Sequence, residues 1–196
     1  GKTQFLEIIN LLLPSHYNNF IEPFVGGGAV FLFIQPKQLI INDLNQELMI
    51  TYQIIKKQPK ELLKLLKEYE TNHSKNFYET LRNQESKKLT ELGIAARFIY
   101  LNKTGYNGKR EKVKLFDKEN ILTISEYLNN NEVKILNQDY QELLPLIKKN
   151  DFLFVDPPYD SDNGNGFTSY QANKFTRRNQ QELLTFLKGC EAKGAN

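Results

Sequence analysis

FIEPFVGGGAVFLFIQPKQLIIND, residues 20–43, decides the fold. The apolar stretch from Phe20 to Val25 has the length and composition of a short strand. It runs into Gly26-Gly27-Gly28, where the backbone is free to turn sharply. Ala29 to Ile34 then open a helix, and Gln38 to Ile41 read as a second strand ending at Asn42-Asp43. Strand, glycine turn, helix, strand is the order that builds a parallel α/β sheet. Just upstream, FLEIINLLL at 5–13 predicts an amphipathic helix halted by Pro14.

Beyond Asp43 the pattern changes. From Leu44 to about Tyr100 apolar residues recur at helical spacing. Leu62, Leu63, Leu65, Leu66 and Tyr69 form one expected apolar face, and Leu92, Ala95, Ala96, Ile99 and Leu101 another. The polar run Thr71 to Lys75 reads as a loop between them. The α/β pattern resumes with a strand at Val133 to Leu136, followed by a helix from Tyr140 to Lys148 interrupted at Pro145. Asp151 to Val155 comes next, and its FLFV run predicts a strand buried on both faces. After a Gly/Asn/Ser-rich loop, a last helix is expected over about Asn179 to Lys188. The organisation predicted is an α/β domain formed by residues 1–50 and 133–196, carrying a mostly helical insertion at 51–132.

Composition narrows the class. Hydrophobic residues make up 40% and aromatics 12%, which supports a packed core and excludes a disordered chain. A net charge of +3 permits a nucleic-acid partner without requiring one. The one cysteine, Cys190, excludes an internal disulfide and suits a reducing compartment. No apolar run approaches the ~20 residues that span a bilayer, and the start shows no signal-peptide pattern. A soluble, cytoplasmic protein with no membrane partner is therefore expected. Because the chain opens on Gly1-Lys2 without a methionine, further residues are expected before it.

Three constellations carry chemistry. The first is Phe24-Val25-Gly26-Gly27-Gly28, where glycines let the backbone approach a bulky ligand. It departs from the dinucleotide fingerprint, which would need glycine where Phe31 stands. A tight strand-to-helix turn with no ligand explains it equally well. The second is Asp43, an acid at the carboxyl end of the second strand, suited to ribose hydroxyls. It also suits the N-cap of a helix starting at Leu44, and the two roles are compatible. The third is Asp156-Pro157-Pro158-Tyr159. Adjacent prolines remove two backbone donors and hold the chain stiff. A carboxylate, fixed carbonyls and a flat ring then suit an amine on a planar base. A rigid proline turn is the alternative. His16 and His73 are isolated in the sequence, with surface or loop roles expected, and no His/Cys cluster has metal-ligand spacing.

EPFVGGGAVF, IINDLN and FVDPPY, in this order, resemble the Dam-type, D12 class (alpha-group) DNA adenine-N6 methyltransferases. The likeness extends over essentially the whole chain. Gly1-Lys2 resembles the end of the family's N-terminal segment, YLNKTGYNG at 100–108 its LNRxxxNG stretch, and Asn137 to Tyr140 its GDF-type segment. Phe167 to Tyr170 and Phe175 resemble the run that follows DPPY. The resemblance implies a Rossmann-like S-adenosylmethionine-dependent methyltransferase sheet with an inserted helical DNA-recognition domain. It implies S-adenosyl-L-methionine as cofactor and transfer of its methyl group to the N6 amine of an adenine flipped out of double-stranded DNA.

Carried over by residue, Phe24, Gly26 and Gly28 would line the cofactor's methionine end, with Lys2 nearby. Asp43 would hold its ribose, and Asp139 and Tyr140 its adenine. Asp156 and the Pro157 carbonyl would accept from the target amine beside Pro158, with Tyr159 stacked on the base. Asn102, Tyr106 and Asn107 would contact DNA. No metal is implied. A restriction-modification or DNA-marking role is, with a cognate restriction endonuclease as functional counterpart. The chain departs from the family after Gly108, where a hairpin of some twenty residues is missing from the pattern. Lys109, Arg110 and Lys112 read there as phosphate contacts or as a solvated charge run. The family's last strands are also expected beyond the end of this chain. Cytosine N4 or an RNA adenine as acceptor, and a shortened relative that binds DNA without activity, are the competing readings.

Overall fold

The computed structural model describes residues 6–104, 116–158 and 177–196. In chain order the elements are α1 (Leu6–Leu12), β1 (Phe20–Glu22), α2 (Ala29–Ile34), β2 (Gln38–Asn42), α3 (Gln46–Lys57), α4 (Pro59–Thr71), α5 (Lys75–Asn83), α6 (Glu91–Thr104), α7 (Lys118–Asn130), β3 (Glu132–Leu136), β4 (Phe152–Leu153) and α8 (Arg177–Ala192). Short 3₁₀ turns lie at Ser86–Lys88 and Tyr140–Leu146. The chain divides into two compact units, Gly1–Leu44 with Gln138–Asn196, and Asn45–Asn137.

The first unit is α/β. Its strands lie in the order β2-β1-β4, with β1 parallel to both neighbours. Phe20 pairs with Leu39 on one side and Phe152 on the other, and Ile21 pairs with Ile40 and Leu153. Phe20, Ile21, Phe31, Leu39 and Ile41 are almost fully buried. This burial explains why the apolar runs on either side of the glycines become strands: each completes its backbone bonds with a neighbour while its side chains leave water. At the amino ends, the buried Asp151 carboxylate accepts from the Asn19 backbone (3.0 Å), the Asn19 side chain (2.9 Å) and the Lys148 backbone (2.8 Å). That carboxylate pins the starts of β1 and β4 together.

The second unit is helical. Caps set its helix starts: Asn45 accepts from the Leu48 amide, Ser74 from Phe77, and Asp117 from Glu119 and Asn120. Pro59 opens α4, where a missing N–H is harmless. Helix α6 packs on α3, α4 and α5, and β3 groups with α3 and α7. Arg97 is buried in α6, donating to the Leu81 and Arg82 carbonyls and pairing with Glu47 at 3.2 Å.

Two expectations need correction. The FLFV run is a strand over only Phe152–Leu153, and its residues are partly exposed rather than buried on both faces. Phe152 packs on Phe20 and Tyr17, but the described residues do not supply the two-sided cover of a central strand. The expected helix at Tyr140 to Lys148 is a 3₁₀ turn ending at Leu146. Pro145 lies inside it, and proline cannot donate the bond that a longer α-helix requires. Of the two apolar helix faces, Leu62 and Leu66 on one and Ala95 and Ala96 on the other are the fully buried members. Among the described residues, no helix is long and apolar enough to cross a membrane.

Candidate active site

Parallel strands deliver their carboxyl ends to one edge of a sheet. From that edge β1 leads into Pro23-Phe24 and the glycine turn, β2 into Asp43, and β4 into Asp156-Pro157-Pro158. β2 and β4 flank β1 on opposite sides; the chain leaves β1 toward β2, whereas after α8 Asn196 bonds the Asp151 and Leu153 backbone on the side of β4 away from β1. In open α/β sheets the crevice beside such a switch is where ligands bind.

The glycine turn is specified by its dihedrals. Gly26 has φ 50 and Gly28 has φ 69, a left-handed region that side-chain-bearing residues rarely adopt. Gly28 is the N-cap of α2, and its N–H closes the turn on the Val25 carbonyl at 3.0 Å. A Cβ placed on Gly26 or Gly27 would meet no atom of the described residues within 4 Å. The turn thus presents bare backbone to open space.

Asp43 joins this turn. Its Oδ2 accepts from the Gly26 N–H at 3.1 Å. It does not cap α3, because Asn45 does. A second link comes from Asn42, which is 1% exposed. Its Nδ2 donates to the Pro23 carbonyl (3.1 Å) and the Gln138 carbonyl (3.0 Å), and its Oδ1 accepts from the Gln138 N–H (3.1 Å). Its backbone carbonyl accepts from the Val25 N–H at 2.9 Å.

Gln138 leads to Asp139 and Tyr140. Asp139 caps the 3₁₀ turn, accepting from the Gln141 N–H at 2.9 Å. The Tyr140 ring lies 5.0 Å from Phe24 and 5.3 Å from Phe186. Burial raises the Tyr140 phenol above its ordinary pKa, the Gln141 hydrogen bond lowers it, and the charges of Asp139 and Glu182 raise it further. Tyr140 is therefore a neutral aromatic wall at physiological pH. On the β4 side, Asp156 is partly exposed as a residue while its Oδ2 is shielded from solvent.

The expected residues Phe24, Gly26, Gly28, Asp43, Asp139, Tyr140, Asp156, Pro157 and Pro158 all fall in the α/β unit. Lys2, Tyr106, Asn107 and Tyr159 lie outside the described residues, as do Lys109, Arg110, Lys112 and the run from Phe167 to Phe175. Asn102 is exposed on α6 in the helical unit, donating to the Phe98 carbonyl at 2.9 Å. His16 is exposed, whereas the His73 ring bonds the Tyr100 hydroxyl at 2.7 Å. The sequence reading did not single out Asn42 or the buried Glu22 at the end of β1. A polar residue closing an apolar strand was the available signal at both positions.

A glycine turn and an acid on adjacent parallel strands define a Rossmann-like α/β fold, a class in which ligands bind at the carboxyl edge of the sheet. The family model for D12 class N6 adenine-specific DNA methyltransferases matches residues 1–196, and the chain belongs to that family. It is 36% identical over 214 residues to the "Type II methyltransferase M1.LlaDCHI" of Lactococcus lactis subsp. cremoris, covering 99% of this chain and 75% of that protein. It is 33% identical to the "Type II methyltransferase M.MjaIII" of Methanocaldococcus jannaschii, covering 100% of this chain and 79% of the relative. The "DNA adenine methylase" of Escherichia coli K12 is 28% identical, covering 96% and 73% respectively. The chain is thus an adenine-specific DNA methyltransferase.

Proposed function

We propose that this enzyme transfers the methyl group of S-adenosylmethionine to the N6 amine of an adenine flipped out of duplex DNA, using the carboxyl edge of the β2-β1-β4 sheet. The observation that carries this reading is the 3.1 Å bond from the Gly26 N–H to the Asp43 carboxylate. It joins a turn with an open flank to the acid suited to a ribose. The donor set fits the cofactor: bare backbone at Gly26 and Gly27, an aromatic wall of Phe24 and Tyr140, and the Asp43 carboxylate. Phe24, Gly26 and Gly28 would line the methionine end with Lys2, Asp43 would hold the ribose, and Asp139 and Tyr140 the adenine. When bound, S-adenosylmethionine supplies an electrophilic methyl group.

The chain's own residues supply position and acceptors. An exocyclic amine donates its lone pair into the base ring and is a poor nucleophile. Asp156 and the Pro157 carbonyl would accept its two N–H bonds, favouring a tetrahedral nitrogen with its lone pair directed outward. Pro158 keeps this segment stiff because two consecutive residues lack an N–H. Flipping the base costs a few kcal/mol, and stacking on Tyr159 offsets about 1–3 kcal/mol. Asn102, Tyr106 and Asn107 would hold the DNA from the helical unit, the insertion expected at 51–132. The type II names of two relatives support a restriction-modification setting with a cognate endonuclease as counterpart.

Asp156→Ala tests the assignment. It should bind S-adenosylmethionine as the wild type does while losing transfer by about 10²–10³-fold, the size typical of one catalytic hydrogen bond. An Asp156→Ala enzyme of normal turnover overturns it.

A further inference from the structure

We infer that Asn42 is a positioning residue for the cofactor site: one buried amide that sets the spacing between the loop after β1 and the 138–140 segment. The inference rests on the cofactor reading above. Asn42 uses both of its donors and its acceptor, on Pro23 and Gln138. Pro23 immediately precedes Phe24, and Gln138 immediately precedes Asp139-Tyr140. Phe24 and Tyr140 then meet ring to ring at 5.0 Å. The amide therefore holds, from within the fold, the two segments that carry this aromatic wall. Its own neighbour Asp43 grips the glycine turn, so positions 42 and 43 together tie the cofactor-facing loops to the end of β2.

The chemistry at position 42 is demanding. An amide can donate twice and accept once in a single plane. Aspartate would aim a charged acceptor at two carbonyls, and an aliphatic residue would leave the buried Pro23 carbonyl and the half-buried Gln138 carbonyl and N–H without that partner. The three residues before it, Leu39 to Ile41, are aliphatic and buried, so burying the strand does not itself call for a polar side chain. The amide acts through Phe24, Asp139 and Tyr140.

Asp151 provides a matched control. It is 0% exposed, lies in the same unit and makes three hydrogen bonds, but at the amino ends of β1 and β4, opposite the proposed site. The full chain carrying Asn42→Ala, Asn42→Ser or Asp151→Asn should be titrated with S-adenosylmethionine by calorimetry and assayed for methyl transfer. Both Asn42 variants should raise the cofactor Kd and KM roughly tenfold, about 1.4 kcal/mol, with kcat at saturating cofactor within a few-fold of wild type. Asp151→Asn should lower the melting temperature and leave the cofactor Kd unchanged. Hydrogen exchange on the wild type gives a readout free of any folding defect. The Gln138 and Val25 amides, bonded to Asn42, should exchange more slowly when cofactor is added.

The inference is overturned if the Asn42 variants bind cofactor normally, if Asp151→Asn weakens binding as much, or if cofactor leaves those two amides unprotected. A wild type that binds no S-adenosylmethionine would instead overturn the cofactor reading itself, and this inference with it.

Discussion

Alanine at Gly26 and at Gly27 separates what the glycine turn does for the fold from what it does for a ligand. Gly26 has φ 50, and a side chain in that left-handed region costs about 1–2 kcal/mol. A Cβ there meets no atom of the described residues within 4 Å, so the cost is one of backbone strain. For a chain of this size it should lower Tm by roughly 2–8 °C. Gly27 lies outside the left-handed region, and its Cβ also meets no atom of the described residues. Gly27→Ala should therefore hold Tm or raise stability by about 0.4–1 kcal/mol through the unfolded state. Both methyl groups would project into the open space assigned to the cofactor. Each should weaken S-adenosylmethionine binding tenfold or more, about 1.4 kcal/mol. Scanning fluorimetry and calorimetry on the two variants read the two effects separately. A Gly27→Ala protein that melts and binds like the wild type refutes the open flank as the cofactor's cradle.

The helical unit offers its own tests. Arg97→Ala removes a buried guanidinium, its bonds to the Leu81 and Arg82 carbonyls and its ion pair with Glu47, so denaturant melts should show a loss of about 2–4 kcal/mol. Asp117→Ala removes the cap of α7 and should cost about 1 kcal/mol in the same melts. Burial, with the nearby Tyr78 adding to it, pushes the Tyr100 phenol up to about 12 from 10.0. The unfolded chain then ionises first, so this contribution to stability is complete below pH 10 and is lost as pH rises toward 12. Melting series over that window should fall less steeply for Tyr100→Phe than for the wild type.

What was legible in the chain follows the range of the forces involved. The glycine turn is a local device: strand, φ-permissive residues and helix lie within a few positions, so residues 20–43 disclose it. The helical insertion is legible for the same reason, since helical spacing repeats every few residues. Asp43 had two readings, and Asn45, two positions on, takes the cap and leaves the acid to Gly26. Asn42 was missed because its partner Gln138 is 96 positions away, and spacing along the chain says nothing about that meeting. Arg97 is similar: its ion pair reaches 50 positions back to Glu47. The FLFV run shows the converse error. Apolar content indicated a strand, but how many faces are covered depends on what packs there, which the run does not encode.

The central claim is methyl transfer to adenine N6, and the product base tests it most directly. Duplex DNA incubated with the enzyme and methyl-labelled S-adenosylmethionine can be digested to nucleosides and separated. Label in N6-methyladenine, abolished by Asp156→Ala, is the predicted result. Label in N4-methylcytosine, or no label in DNA from an enzyme that binds the cofactor, would contradict the account.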